Sequence, residues 1–202
     1  HGKVVALKAH RDLNLWYRTG LPYDEIHPED PNNVGVIARS ETDGQENMKA
    51  YKQIPDWKTH YPVAAYVSDL NDENGNPGWY LPAIKEVQAM VGWIDGEVLS
   101  PDGEAGQEPS EAMKEKRKAI NQLIVDNGGN EFYFYGYDVS FIIDQTNAWE
   151  ADYFNRIYTS TETDYQVHPM VFKFYLRNGW WENMHIYGDL ASYGEIRPFL
   201  AF

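Results

Sequence analysis

The chain has 202 residues, a formal net charge of −14 and 43% apolar residues. This length and apolar content suffice for one domain with a substantial core, while the negative charge repels phosphate backbones and argues against a nucleic-acid partner. The absence of cysteine excludes disulfides, thiolate metal sites and cysteine nucleophiles, and no apolar run approaches the roughly 20 residues of a membrane-spanning helix.

The N-terminal part of the chain predicts a short strand and then helices. Residues 3–7 are apolar enough for an early strand, and the polar residues 43–52 predict a short helical stretch. Thr59 is the predicted N-cap of a longer amphipathic helix. After it, residues 68–77 predict an acidic, turn-rich loop whose oxygen ligands do not fall at calcium-loop positions. The apolar positions of the longer helix are Val63, Tyr66, Val67 and Leu70.

The segment 78–82, Gly-Trp-Tyr-Leu-Pro, predicts a strand that passes directly into a helix. Trp79 and Leu81 favour an extended, partly buried backbone, and Pro82 keeps the residue before it out of the helical conformation. We therefore expect Trp79 and Leu81 to lie in the core. Helical spacing follows at once, with apolar residues at Ile84, Val87, Val91 and Ile94.

A third helix is predicted between an exposed insertion and a glycine pair. Residues 95–109 are rich in Gly, Pro and Glu and indicate the insertion, and Ser110 is the predicted N-cap of the helix that follows. Arg117 interrupts its apolar stripe, so the first half of this helix is expected to be solvated. The stripe consists of Met113, Ile120, Leu123 and Ile124.

From residue 131 onward the pattern changes to strands. Asn178-Gly179 between two apolar runs is a strong hairpin signal. Because the predicted helices occupy the first part of the chain and a mainly antiparallel sheet occupies the last part, we expect an α+β fold. The strand-like runs are 132–135, 141–143, 156–161, 170–177, 180–186 and 195–202.

Three segments, taken in order, resemble one protein family. They are the segment 78–82, Ile-Tyr-Thr-Ser-Thr-Glu at 157–162, and Glu-Ile-Arg-Pro-Phe-Leu-Ala-Phe at 195–202. They are similar to the G-W-Y/R-L-P, Y-W-S-S-T-E and V-R-P/C-V motifs of the bacterial major paralogous domain, which has a C-type-lectin-like fold. Segments 2–7 and 43–47 also resemble that family, so the similarity spans nearly the whole chain.

The resemblance implies a single C-type-lectin-like domain over residues 1–202, with two to three helices packed on a twisted antiparallel sheet. This family is abundant in exported Bacteroidetes proteins. We therefore expect the C-terminal part of a longer exported protein, at the cell surface or extracellular, with a possible lipid anchor upstream. The motif residues expected to be structural are Trp79, Leu81, Pro82, Ser160, Thr161, Glu162 and Arg197. Glu162 and Arg197 are expected to pair with each other or to bond to backbone.

The resemblance further implies a non-catalytic module that binds a glycan or a surface protein without a cofactor or metal. Aromatic and polar residues near the C-terminus suit such contacts. Three alternatives remain open: a binding protein diversified by a retroelement, a structural subunit of a surface or fimbrial assembly, and a glycoside-active enzyme. The oligomeric state is not predicted. The expected ligand-binding residues are Trp180, Trp181, Asn183, His185, Tyr187, Asp189 and Tyr193.

Local motifs for catalysis or metal binding are missing from the sequence. The histidines show no H-x-x-x-H or H-E-x-x-H spacing for zinc. Ser160 lies in no G-x-S-x-G elbow, which argues against a serine nucleophile. Acidic pairs such as Glu162 and Asp164 keep the glycosidase alternative open, because the separation of two carboxylates cannot be measured in a sequence.

Overall fold

The computed structural model describes residues 2–10, 13–15, 38–75, 78–96, 110–131, 156–162, 169–174, 181–185, 191–193 and 195–201. These residues form helices and short antiparallel ladders, so the α+β class predicted from the sequence is confirmed. The described helices are α1 (Gly44–Tyr51), α2 (Trp57–His60), α3 (Pro62–Asn74), α4 (Ile84–Asp95) and α5 (Glu111–Asp126). Three of them, α3 to α5, have 12 residues or more. Helix α1 lies within the predicted helical stretch 43–52, whereas the one-turn helix α2 was not predicted.

Side-chain caps start two of these helices. The Asp43 carboxylate accepts hydrogen bonds from the amides of Gln45 and Glu46 at the start of α1. The Ser110 hydroxyl accepts from the Met113 amide at 3.3 Å, which confirms Ser110 as the N-cap of α5. Both caps satisfy amides that have no partner within their own helix.

Helix α3 differs at both ends from its prediction. Its N-cap is Tyr61, because Thr59 lies inside the preceding one-turn helix α2. Its last turns include residues 68–74, which we predicted as a loop. The helix ends only where Gly75 takes a left-handed φ of 61°, a conformation that glycine adopts at low cost.

The described strands are β1 (Lys3–Val5), β2 (Leu13–Leu15), β3 (Trp79–Tyr80), β4 (Arg156–Glu162), β5 (Pro169–Phe174), β6 (Trp181–His185), β7 (Ala191–Tyr193) and β8 (Phe199–Ala201). They form three sheets. β1, β8 and β3 make one sheet in the order β1-β8-β3, β2 pairs with β7, and β4, β5 and β6 make a sheet in that order. All strand pairs within these sheets are antiparallel.

The segment that leads into β8 connects two of these sheets. The Tyr158 amide of β4 donates to the Glu195 carbonyl at 3.0 Å, four residues before β8 begins. The antiparallel pairing of β5 with β6 agrees with a hairpin, while its predicted turn at Asn178-Gly179 lies outside the described residues. The predicted runs 132–135 and 141–143 also lie outside them.

The core lies between the helices and the strands β3, β4 and β8. Leu81 is fully buried, as predicted. The apolar face of α4 that was predicted to enter the core is also buried. Trp79 is partly buried and packs against this core, so the prediction that it lies in the core is confirmed only in part. The residues of that α4 face are Ile84, Val87, Val91 and Ile94.

Helix α5 packs on α4 through a buried ion pair. The Arg117 Nε and Nη2 atoms donate to the two Asp95 oxygens at 2.8 and 2.6 Å, and their side chains are only 1% and 0% exposed. The expectation that the first half of α5 is solvated is therefore wrong at Arg117. Leu123, predicted in the apolar stripe, is 59% exposed.

Candidate functional site

The segments that carry the family resemblance meet inside the molecule. The Ser160 amide donates to the Pro82 carbonyl at 2.7 Å, so β4 lies against the joint between β3 and α4. The Thr161 hydroxyl accepts from the Ile84 amide at 3.0 Å and donates to the Ser40 carbonyl at 2.9 Å. Asn47 of α1 donates to the Ser160 hydroxyl at 3.0 Å. These buried side chains satisfy backbone groups and each other, so their role is structural.

Glu162 and Arg197 are both buried and both bond to backbone. The Glu162 carboxylate accepts from the Ala38 amide at 3.2 Å, and the carboxylate bonded to Arg197 is that of Glu195, at 2.8 Å. The remaining four N–H groups of the Arg197 guanidinium donate to main-chain carbonyls, which uses all five of its donors. Those carbonyls belong to Ala6, Leu7, Asn130 and Glu131.

A buried carboxylate, that of Glu86, organises the N-terminus of α4. It accepts hydrogen bonds from the amides of Ala83 and Gly44 at 2.7 and 3.0 Å and from the Tyr80 hydroxyl at 2.8 Å. The Lys3 ammonium of β1 forms an ion pair with it. A negative charge at a helix N-terminus is also stabilised by the helix dipole. Four donors from three segments of the chain therefore converge on one carboxylate.

Next to Glu86 lies an open groove of about 550 Å³ between β1, β8 and α4. A volume of this size falls in the range of roughly 300–1,000 Å³ that holds small ligands or single side chains. Most of the lining surface is apolar, and Trp93 on its wall is 77% exposed. The lining residues are Lys3, Val5, Thr42, Lys85, Glu86, Ala89, Met90, Trp93 and Phe199.

The charged residues at this groove are arranged in ion pairs. Lys3 pairs with Glu86, and the Lys85 ammonium lies 2.6 Å from a carboxylate oxygen of Glu41. The local charges therefore largely cancel, and the groove offers apolar contact with polar groups at its margin. Among the described residues, no group of three His, Cys, Asp or Glu side chains is placed to hold a metal ion.

The groove was not predicted from the sequence, although α4 carried a signal for it. The core stripe of α4 accounts for one face of the helix. Ala89, Met90 and Trp93 lie at helical spacing on a neighbouring face and are apolar as well. This second apolar face of α4 forms one wall of the groove.

The C-terminal residues predicted to bind ligand are described only in part. The backbone of β6 contains Trp181, Asn183 and His185, which pair with Phe174, Phe172 and Met170 of β5. Tyr193 lies in β7, opposite Leu13 of β2. The structure thus places β6 and β7 in different ladders. The predicted residues outside the described part are Trp180, Tyr187 and Asp189.

The chain was compared with family models, curated proteins and solved structures. No family model, curated protein or solved structure matches it. Within the described ranges, none of the helices has the length and apolar composition needed to cross a lipid bilayer.

Proposed function

We propose that the chain is a non-catalytic ligand-binding module of C-type-lectin-like architecture, exported to the cell surface or beyond. The ordered resemblance of three sequence motifs supports the architecture and the localisation. The hydrogen bonds from Ser160 to Pro82 and from Tyr158 to Glu195 bring segments of these motifs together, which is consistent with one shared structural purpose.

We place the ligand at the groove between β1, β8 and α4. The observation that carries this proposal is the side chain of Trp93, 77% exposed on the wall of an apolar groove. Exposing a large aromatic ring to water is unfavourable in a module that only folds, and tryptophan is enriched among residues that anchor ligands and partners. The predicted ligand is a glycan or a surface protein.

The function would rely on shape and aromatic contact rather than on reaction chemistry. The buried carboxylate of Glu86 is held by four donors, so it is occupied with organising the fold. The ion pairs at the margin would orient polar groups of the ligand, while Met90 and Trp93 would contact its apolar part. Binding should therefore survive a metal chelator.

A binding screen with a matched pair of variants tests this proposal. The protein would be applied to a glycan array and to a displayed library of linear peptides, each with and without EDTA. Trp93→Ala should weaken the binding of selected ligands by about 2 kcal/mol. Leu123→Ala, which truncates another exposed apolar residue of a helix, should leave binding unchanged. Ligands held equally well by Trp93→Ala would place the site elsewhere.

A further inference from the structure

The outer edge of β1 carries backbone groups that no ladder uses. In the described part of the chain, β1 is the end strand of its sheet. The Ala6 amide donates to the Pro198 carbonyl at 2.9 Å, and in an antiparallel pair every second residue bonds to the partner strand. The main-chain N–H and C=O groups of Val4 are thus directed toward β8. By the same alternation, the N–H and C=O groups of Lys3 and Val5 point away from β8, toward the outer edge of the sheet.

The same two residues face the groove. Lys3 and Val5 are two positions apart, so their side chains lie on one face of β1, and both line the groove. Val4 lies on the opposite face and is 41% exposed. A new strand hydrogen-bonded to Val5 would place the paired side chain on the Val5 face. That side chain would enter the groove beside Met90 and Trp93.

The available hydrogen-bonding groups distinguish between classes of ligand. The carboxylate of Glu86 already accepts hydrogen bonds from within the protein, and the Lys85 ammonium is already paired with Glu41. What the groove offers in addition is a line of main-chain donors and acceptors at the β1 edge. An extended peptide matches such a line in both chemistry and spacing. The hydroxyls of a sugar ring do not repeat in that way.

We propose that an extended peptide segment of a protein partner adds to β1 as an outer strand, with an apolar side chain opposite Val5 in the groove. This inference rests on the proposed function, because it names the ligand class for the same groove. Peptide affinity then comes from main-chain hydrogen bonds, and selectivity from the groove.

Peptides with single N-methyl groups test the strand geometry. Linear heptapeptides would be selected on phage against the intact chain, and the best would be synthesised with one backbone N-methyl group at each position in turn. Strand addition predicts that methylation at every second residue weakens binding by about tenfold. Methylation at the alternate residues should have little effect, because their N–H groups point away from β1.

Amide hydrogen exchange of the protein gives an independent readout. On addition of the selected peptide, exchange at Lys3 and Val5 should slow, whereas the Val4 amide, already directed toward β8, provides an internal control. Val5→Thr should lower peptide affinity by about tenfold through the loss of apolar contact. Val4→Thr, the same change on the other face, should not.

The outcomes separate this inference from the proposed function. Failure to select any peptide, uniform tolerance of N-methylation, or unchanged exchange at Lys3 and Val5 in the peptide complex would overturn strand addition. Glycan binding that requires Trp93, without peptide binding, would overturn it while retaining the groove as a ligand site. Peptide binding that protects Lys3 and Val5 yet ignores Trp93→Ala would support strand addition and contradict the proposed anchor. Self-association through β1 without added peptide would replace the peptide by a second copy of the chain.

Discussion

Gly44 lies where the first turn of α1 meets the backbone that leads into α4. A Cβ atom at this position would lie 2.3 Å from the Leu81 carbonyl oxygen and 2.9 Å from the Ala83 nitrogen. Both are main-chain atoms, which cannot move aside as the end of a flexible side chain can. The absence of a side chain at Gly44 therefore allows α1 and the segment 81–83 to approach closely.

Gly44→Ala should accordingly destabilise the fold by about 3 kcal/mol, since overpacking against fixed atoms costs energy that better helix propensity does not offset. The measurement is the midpoint of urea unfolding. Gln45→Ala is the control, because Gln45 is the exposed neighbour in the same helical turn. A midpoint for Gly44→Ala that equals or exceeds that of the control would show that the protein can accommodate a Cβ atom at this position.

Tyr51 is a buried titratable residue whose hydroxyl donates to the Ser160 carbonyl at 2.7 Å. Burial first, and then the nearby Glu162 carboxylate and Tyr61, raises the pKa of Tyr51 well above its ordinary value of 10.0. The folded state thus retains a proton that the unfolded state releases near 10.0. The resulting stability is fully present below this pH and is lost as the pH rises toward the folded pKa.

Tyr51→Phe removes both the hydrogen bond and the titration. Near pH 7 the variant should be about 1 kcal/mol less stable than the wild type. Between pH 10 and about 11 the wild type should lose stability that the variant keeps, so the difference between them should shrink. Urea unfolding at both pH values checks this. A constant difference would mean that Tyr51 titrates normally in the folded protein.

At the scale of whole elements, the packing of α5 on α4 depends on the ion pair between Arg117 and Asp95. Removing either partner takes from the other buried group the opposite charge that it contacts, so Arg117→Met or Asp95→Leu should each destabilise by about 3–5 kcal/mol. The double variant should recover most of that loss, because it removes both charges of the pair. Chemical unfolding of the three variants measures the coupling. Additive losses in the double variant would contradict a direct coupling between Arg117 and Asp95.

The elements also show which parts of the fold can be read from sequence. The buried face of α4 was predicted because its spacing repeats over three turns, and Ser110 because a cap acts within its own helix. The burial of Arg117 was missed because its partner belongs to another helix, which no local pattern reports. The extension of α3 through Asn74 was missed because its acidic composition resembles a loop. There, Lys58 of α2 lies 2.5 Å from Asp69 of α3, a contact between two helices.

At the scale of the whole molecule, segments distant in sequence meet. β1 pairs with β8 across nearly the full length of the chain, and Arg197 bonds to residues 6, 7, 130, 131 and 195. The sequence analysis did not predict these contacts between distant segments. It did not predict the groove either, because the groove forms from residues of three elements that are far apart in the chain. The signal was the second apolar face of α4, with Met90 and Trp93.

Two surfaces are therefore candidates for ligand binding in the whole molecule. The groove has described side chains and an exposed tryptophan, whereas the C-terminal surface with Trp181 and Tyr187 stays a prediction from sequence. They make different predictions for variants. If the groove is the site, Trp93→Ala should weaken binding and a double change of Trp181 and Tyr187 to Ala should not. The opposite pattern would favour the C-terminal surface.

The most direct measurement is nuclear magnetic resonance of the tryptophan indole N–H groups during titration with a ligand from the binding screen. Trp93→Phe and Trp181→Phe would assign their two signals. Binding in the groove predicts that the Trp93 signal shifts in proportion to the bound fraction, while the Trp181 signal stays in place. A shift of the Trp181 signal with an unchanged Trp93 signal would contradict the groove as the ligand site.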